Sequence, residues 1–199
     1  MRLRDEQKQA IVHQAALKMI VEDGLDGLSM QKLAKAAGIS PATIYIYYKD
    51  RDDLILQVCA TEGRKMEAAT LEGFSPEMSL REGLKVQWQN RSRYCLENPL
   101  GMQFLEQIRH SPYQARAAKQ VTSRFVEELT DFVRINRERG EMVDGVSTEV
   151  FWAIAYAPLY SLIKFHLQGR GLAGMDRPFQ LTEEKLDEAL ALTVKALTP

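Results

Sequence analysis

The chain is poor in what small extracellular domains, redox enzymes and membrane proteins are rich in. It has two cysteines, Cys59 and Cys95, among 199 residues. That is too few for a disulfide framework or a cysteine-based zinc site. No run approaches the roughly 20 consecutive apolar residues that span a bilayer. The N-terminus, MRLRDEQKQA, has charge but no apolar core segment, so it does not read as a secretory signal. These features together predict a cytoplasmic protein without a membrane partner. Charge of one sign is also lacking, because the formal net charge is −1. The whole chain is therefore no polyanion binder. Residues 1–51, however, carry eight Lys/Arg against six Asp/Glu, and the remainder carries 18 against 21. The N-terminal segment is thus +2 and the rest −3. That asymmetry has the sign a nucleic-acid module needs.

Period-two alternation and Asn-Gly or Asp-Gly hairpins are also missing, so the chain is expected to be all-α. The first predicted helix runs from about Asp5 to Glu22. Its apolar face holds Ile11, Ala15 and Met19 with Val12, Ala16 and Ile20, and Gly24 stops it. Ser29 is placed to cap a second helix whose inward side is Met30, Leu33, Ala34 and Ala37. Gly38 breaks that helix. Ser40 caps a third, with Pro41 at its first position, where a missing N–H costs nothing. A fourth helix begins at Arg51 or Asp52. A break at residues 73–76 then precedes longer helices over 79–97, 100–110, 113–139, 147–168 and 182–196. Val121, Phe125, Leu129 and Phe132 are expected to face inward from the helix over 113–139.

The helix over 147–168 is apolar around most of its circumference, which predicts burial on more than one side. A second subunit is expected to cover one side, with Pro158 bending the helix. Phe151, Ala155 and Leu162 there, with Leu186, Leu190 and Leu197 on the last helix, are the predicted interface of a homodimer. Two such helices from each subunit would form a four-helix contact.

The stretch SMQKLAKAAGISPATIYIYY, residues 29–48, has the form of a helix-turn-helix. With Ile11-Val12, Ala15-Ala16, Gly24-Leu25, Leu28 and Arg51-Asp52-Asp53-Leu54-Ile55 in this order and spacing, it resembles the tetracycline-repressor (TetR/AcrR) family of transcriptional regulators. The resemblance covers about residues 8–58. It implies an N-terminal three-helix DNA-binding domain over 1–50. A linker helix would join this to a helical effector-binding and dimerisation domain over 51–199. It also implies a homodimer on a pseudo-palindromic double-stranded operator, released when a small apolar or amphipathic effector binds, and acting as a repressor rather than an enzyme. A ligand-independent DNA-binding protein, such as a nucleoid or division factor, is the alternative.

On that resemblance Gln31, Ala42, Thr43 and Tyr45 face the major groove. Tyr47, Lys49 and the helix ends at Ser29 and Ser40 hold phosphates, and Arg51 is a further contact. Tyr48 and Ile44 are expected in the core. Ile46 either touches DNA through apolar contact or packs against the first helix. In the C-terminal part, Trp88, Arg91, Phe104, Phe125, Trp152 and Tyr156 are the candidate effector-binding residues, since ligand pockets are mostly apolar with a few polar groups. Arg91 interrupts an apolar stripe and is expected to meet either an acidic ligand or a nearby carboxylate. No cofactor is implied, and His13, His110 and His166 lack metal-ligand spacing. The literal G-x-G-x-x-G at 169–174 follows a helix rather than a strand and reads as a loop.

Overall fold

The computed structural model describes residues 2–120, 123–171 and 178–199. Among them are ten helices and no strand. These are α1 Arg2–Gly27, α2 Met30–Ala37, α3 Pro41–Tyr47, α4 Arg51–Thr70, α5 Leu80–Glu97, α6 Pro99–Arg109, α7 Gln114–Ala118, α8 Ser123–Glu138, α9 Thr148–Leu167 and α10 Glu183–Leu197. The chain forms two compact units. Unit 1 is Met1–Lys65 with Asn98–Val121, and unit 2 is Met66–Glu97 with Thr122–Pro199. Packing therefore divides the chain differently from a cut at residue 50. The first part of α4, and α6 and α7, belong with the helix-turn-helix. Phe104 and Ile108 of α6 are buried among residues of the first three helices.

In unit 1, α1 is interrupted at Gly24, whose φ of 76° favours glycine over any L-residue. Val12, Ala16, Leu17 and Ile20 are fully or almost fully buried, whereas Ile11, expected beside them, is 50% exposed. The apolar stripe is thus centred on Val12, Ala16 and Ile20. Against it lie Leu33 and Ala34 of α2, Ile44 of α3, and Leu54, Ile55 and Val58 of α4. Each buried aliphatic side chain of this kind contributes roughly 1.5–3 kcal/mol. The buried His13 donates through Nε2 to Glu62 Oε1 at 2.7 Å, and Lys65 Nζ donates to the same oxygen at 2.7 Å.

In unit 2, α5 begins with a capping box. The Ser79 hydroxyl donates to Glu82 Oε2 at 2.7 Å and accepts the Glu82 N–H at 3.3 Å. Leu80, Leu84, Trp88 and Cys95 make its buried stripe. Gly83 lies so close to α8 that a β-carbon there would sit 2.3 Å from the Phe132 ring. The single helix expected over 113–139 is instead α7 and α8, and Val121 lies outside the described residues. Residues 172–177 of the glycine-containing loop also lie outside them; Gly169 at its start has φ 67°.

Helix α9 is capped by Ser147, contains Pro158, and turns Phe151, Ala155, Tyr156, Leu159 and Ile163 inward. By length and composition alone it could cross a membrane, with a mean hydropathy of 1.3. The sequence reading had not found such a segment. Its inward side chains instead fill the core of unit 2 beside α5 and α10.

The same geometry corrects most of the predicted dimer contacts. Phe151, Ala155, Leu190 and Leu197 are 0–7% exposed and are used up inside the subunit, and Leu162 and Leu186 are half-buried. The apolar side chains that α9 and α10 leave outside include Val150, Trp152, Ala153, Ala157, Leu167 and Leu192.

Candidate nucleic-acid interface and effector site

The turn between α2 and α3 is built from local chemistry. Ser29 accepts the Lys32 N–H at 3.2 Å and so satisfies a free donor of the first turn of α2. Gly38 takes φ 65°, and the Ile39 N–H returns to the Ala34 carbonyl at 3.1 Å. That six-to-one bond is a Schellman closure, which orients the next segment sharply. Ser40 then caps α3, accepting the Thr43 N–H at 3.2 Å, and its hydroxyl lies 2.9 Å from that of Thr43. Helix α3 is anchored from below by fully buried Ile44 and by Tyr48, which is 5% exposed.

With Ile44 and Tyr48 fixed inward, the opposite face is presented to solvent. Tyr45 is 53% exposed and Ile46 is 75% exposed. Ile46 therefore does not pack against α1. Gln31, Ala42 and Lys49 are exposed as well, and Thr43 and Ser29 are half-buried. Exposed Lys32 and Lys35 add positive charge along α2. The sequence reading passed over both lysines, although their places opposite buried Leu33 and Ala34 already put them outward.

Two expected DNA contacts are otherwise engaged. The Tyr47 hydroxyl donates to Asp5 Oδ1 at 3.0 Å and its ring packs on the core, so it ties α3 to α1. Arg51 is a clamp. Its Nε donates to the Leu28 carbonyl at 3.0 Å, its Nη2 to the Leu25 carbonyl, and its Nη1 to the Tyr113 hydroxyl at 3.3 Å. Those carbonyls end α1, where a cation is also favoured by the helix dipole. Asp52 extends the network. It accepts from the Tyr113 hydroxyl at 2.6 Å and from Arg116 at 2.9 Å, and both bonds hold its carboxyl below the usual range.

In unit 2 the aromatic candidates surround Arg91, which is 1% exposed. Its guanidinium carbon lies 4.4 Å from the Tyr156 ring centroid, 5.3 Å from Trp152 and 5.9 Å from Phe125. These are cation–π distances. Nε donates to Gln87 Oε1 at 3.2 Å and Nη1 to the Tyr160 hydroxyl at 2.7 Å. Among the described residues neither Nη2 nor the buried Tyr156 hydroxyl makes a well-aligned hydrogen bond, and the hydroxyl's side-chain interaction is with Arg91 itself. Among the described residues no carboxylate forms an ion pair with Arg91, so the nearby-carboxylate expectation is not met. Burial pushes the Tyr156 phenol up to about 12, against the opposing effect of Arg91. The hydroxyl therefore stays protonated at neutral pH.

Trp88 and Phe104 leave the candidate set. Trp88 is fully buried and its indole N–H donates to the Ala155 carbonyl at 2.7 Å, so it is a core strut. Phe104 is part of the core of unit 1. Burial pushes the Cys95 thiol up to about 12, which removes its thiolate character at neutral pH. No group of three or more His, Cys, Asp or Glu with metal-binding geometry occurs among the described residues.

Three N-terminal helices, the second and third short and joined by a tight capped turn and the third with an exposed aromatic and apolar face, define a helix-turn-helix protein. Comparison with known proteins agrees. Residues 13–58 match the family described as bacterial regulatory proteins, tetR family. An HTH-type transcriptional regulator of Haemophilus influenzae is 34% identical over 102 residues, 51% of this chain and 54% of that protein. A fatty acid metabolism regulator protein of Bacillus subtilis is 36% identical over 44 residues, 22% of this chain and 23% of that one. The chain thus spans about half the length of the first relative and less of the second. A crystal structure of a TetR family transcription regulator from Marinobacter aquaeolei VT8 superposes with a TM-score of 0.75 at 28% identity, covering 99% of this chain and 98% of that one. The tetR-family match thus falls on the helix-turn-helix of unit 1, and the likeness to the TetR family regulator structure extends over the whole chain.

Proposed function

We propose that the protein is a cytoplasmic, homodimeric, DNA-binding transcriptional regulator whose operator is released when a small molecule binds unit 2, most simply as a repressor. The observation that carries the DNA-binding part is the outward face of α3. Buried Ile44 and Tyr48 leave Tyr45 and Ile46 in solvent, on a helix capped by Ser40. An exposed tyrosine and isoleucine side by side on a seven-residue helix lose apolar area to water for no folding gain. In a major groove they reach base edges and thymine methyls. Gln31, Ala42 and Thr43 complete the reading face, while Lys32, Lys35, Lys49 and the caps at Ser29 and Ser40 hold phosphates.

Dimerisation is supported by the apolar side chains that α9 and α10 leave uncovered. Val150, Ala153 and Ala157 recur at helical spacing, and Leu192 is 63% exposed. Two recognition helices about one DNA turn apart, roughly 34 Å, would read a pseudo-palindrome.

Control by a ligand has a physical route. Helix α4 begins in unit 1 and ends at Thr70 in unit 2. The Thr70 carbonyl accepts from Gln87 at 3.3 Å and Asn90 at 3.1 Å, and Gln87 in turn accepts from Arg91. A ligand that moves Arg91 therefore acts on the end of the helix that continues into the DNA-binding unit. The ligand shifts the population only by its preference for the released arrangement.

Selection from a random duplex library tests the reading. It should enrich a two-fold related sequence bound by the full chain as a dimer. Enrichment of single half-sites, or of no sequence, would contradict it.

A further inference from the structure

We infer that the effector is an amphipathic molecule carrying one carboxylate, which pairs with Arg91 and Tyr156 between the rings of Phe125 and Trp152. The inference rests on the reading of unit 2 as the effector-binding part and specifies its ligand chemistry.

The argument begins with an imbalance of charge. A guanidinium is not deprotonated in a protein, so the interior of unit 2 holds a full positive charge at 1% exposure. Burying an ion without a counter-ion is among the most unfavourable arrangements a fold can contain. Aromatic faces and the neutral oxygens of Gln87 and Tyr160 offset part of that cost. They leave Nη2 without a well-aligned acceptor, and the Tyr156 hydroxyl, on the ring closest to the guanidinium, interacts only with Arg91, so its own proton has no acceptor. Two such donors side by side call for an acceptor-only group. A carboxylate supplies two such oxygens and one negative charge, which cancels the single positive charge. A phosphate dianion would leave excess charge in the same closed surroundings. The walls are aromatic, so the remainder of the molecule is apolar. Trp152, 36% exposed, is the wall that reaches the surface and the natural point of entry.

The test is calorimetric titration of the full chain with decanoate, methyl decanoate, decanol and decylamine. Wild type should bind decanoate about tenfold or more tighter than the ester and the alcohol, as a charge-assisted pair requires, and should bind the amine weakest. Arg91→Gln, checked for native helicity, should remove the preference for the acid. Tyr156→Phe deletes a hydroxyl whose side-chain interaction is with Arg91 alone, and it is checked for native helicity in the same way. It should weaken decanoate several-fold while leaving the ester unchanged. Equal affinity for acid and ester, no binding of decanoate, or an unchanged preference in both variants would overturn the inference.

Release of a selected duplex separates the two readings. Neutral analogues that bind and release DNA as well as decanoate would sink the carboxylate assignment while ligand control stands. Arg91-dependent binding of decanoate without release would uphold the site and contradict ligand control.

Discussion

The two units treat a buried charge in opposite ways. In unit 1 the Glu62 carboxylate, 2% exposed, meets His13 and Lys65, each at 2.7 Å. Burial raises its pKa, but those bonds and charges outweigh burial and hold the carboxyl below its usual range. In unit 2 the Arg91 guanidinium is buried as deeply, yet its partners are rings, an amide and a hydroxyl. The buried anion of unit 1 has its counter-charges, and the proposed function of that unit lies outward, on α3. The buried cation of unit 2 has none among the described residues, and the proposed ligand is the group that would supply it.

Variants can break or sharpen that contrast. The largest effect is expected from Glu62→Ala, which leaves buried His13 and the exposed Lys65 without their shared anion. A loss of about 3 kcal/mol in urea unfolding follows from breaking a buried pair. Next comes Gly83→Ala, since the added methyl meets the Phe132 ring at 2.3 Å. Overpacking of this kind costs about 2 kcal/mol, read in the same experiment, and it tests whether unit 2 is tightly packed away from Arg91. Smaller is the acid response. Glu62 titrates lower in the folded state than unfolded, so its contribution is fully present above the unfolded carboxyl value of about 4.3 and is lost as pH falls through the folded value. Unfolding free energy measured against pH should show this slope, and Glu62→Gln should flatten it. Smallest is Tyr156→Phe, expected within about 0.5 kcal/mol of wild type in the absence of ligand, because its hydroxyl makes no well-aligned hydrogen bond. A large loss there would mean that the cluster around Arg91 is closed after all.

Legibility follows the range of the interactions. The helix-turn-helix was readable because Ser29, Gly38, Ser40 and Pro41 act on backbone groups within five residues. Arg51 was misread as a phosphate contact because its acceptors, the Leu25 and Leu28 carbonyls, lie 26 and 23 residues away. The Asp5 partner of Tyr47 is 42 residues away. On α9 and α10 the apolar stripes were visible, but periodicity does not say which stripe the subunit uses for itself. Phe151, Ala155, Leu190 and Leu197 proved to be its own core. Phe104 was grouped with the effector residues because nothing local marks α6 as part of unit 1. Arg91 stands out in the sequence as a cation in an apolar stripe, but only the three-dimensional structure shows that it forms no ion pair among the described residues.

The central claim is that the exposed face of α3 reads DNA. Equilibrium binding of the selected duplex by wild type and Tyr45→Ala, at one fixed salt concentration, tests it most directly. Tyr45 supports no core contact at 53% exposure, so the variant should melt as wild type does and bind at least about tenfold more weakly, the roughly 1–3 kcal/mol of a base-reading side chain. Unchanged affinity in a variant with an unchanged melting temperature would contradict the account.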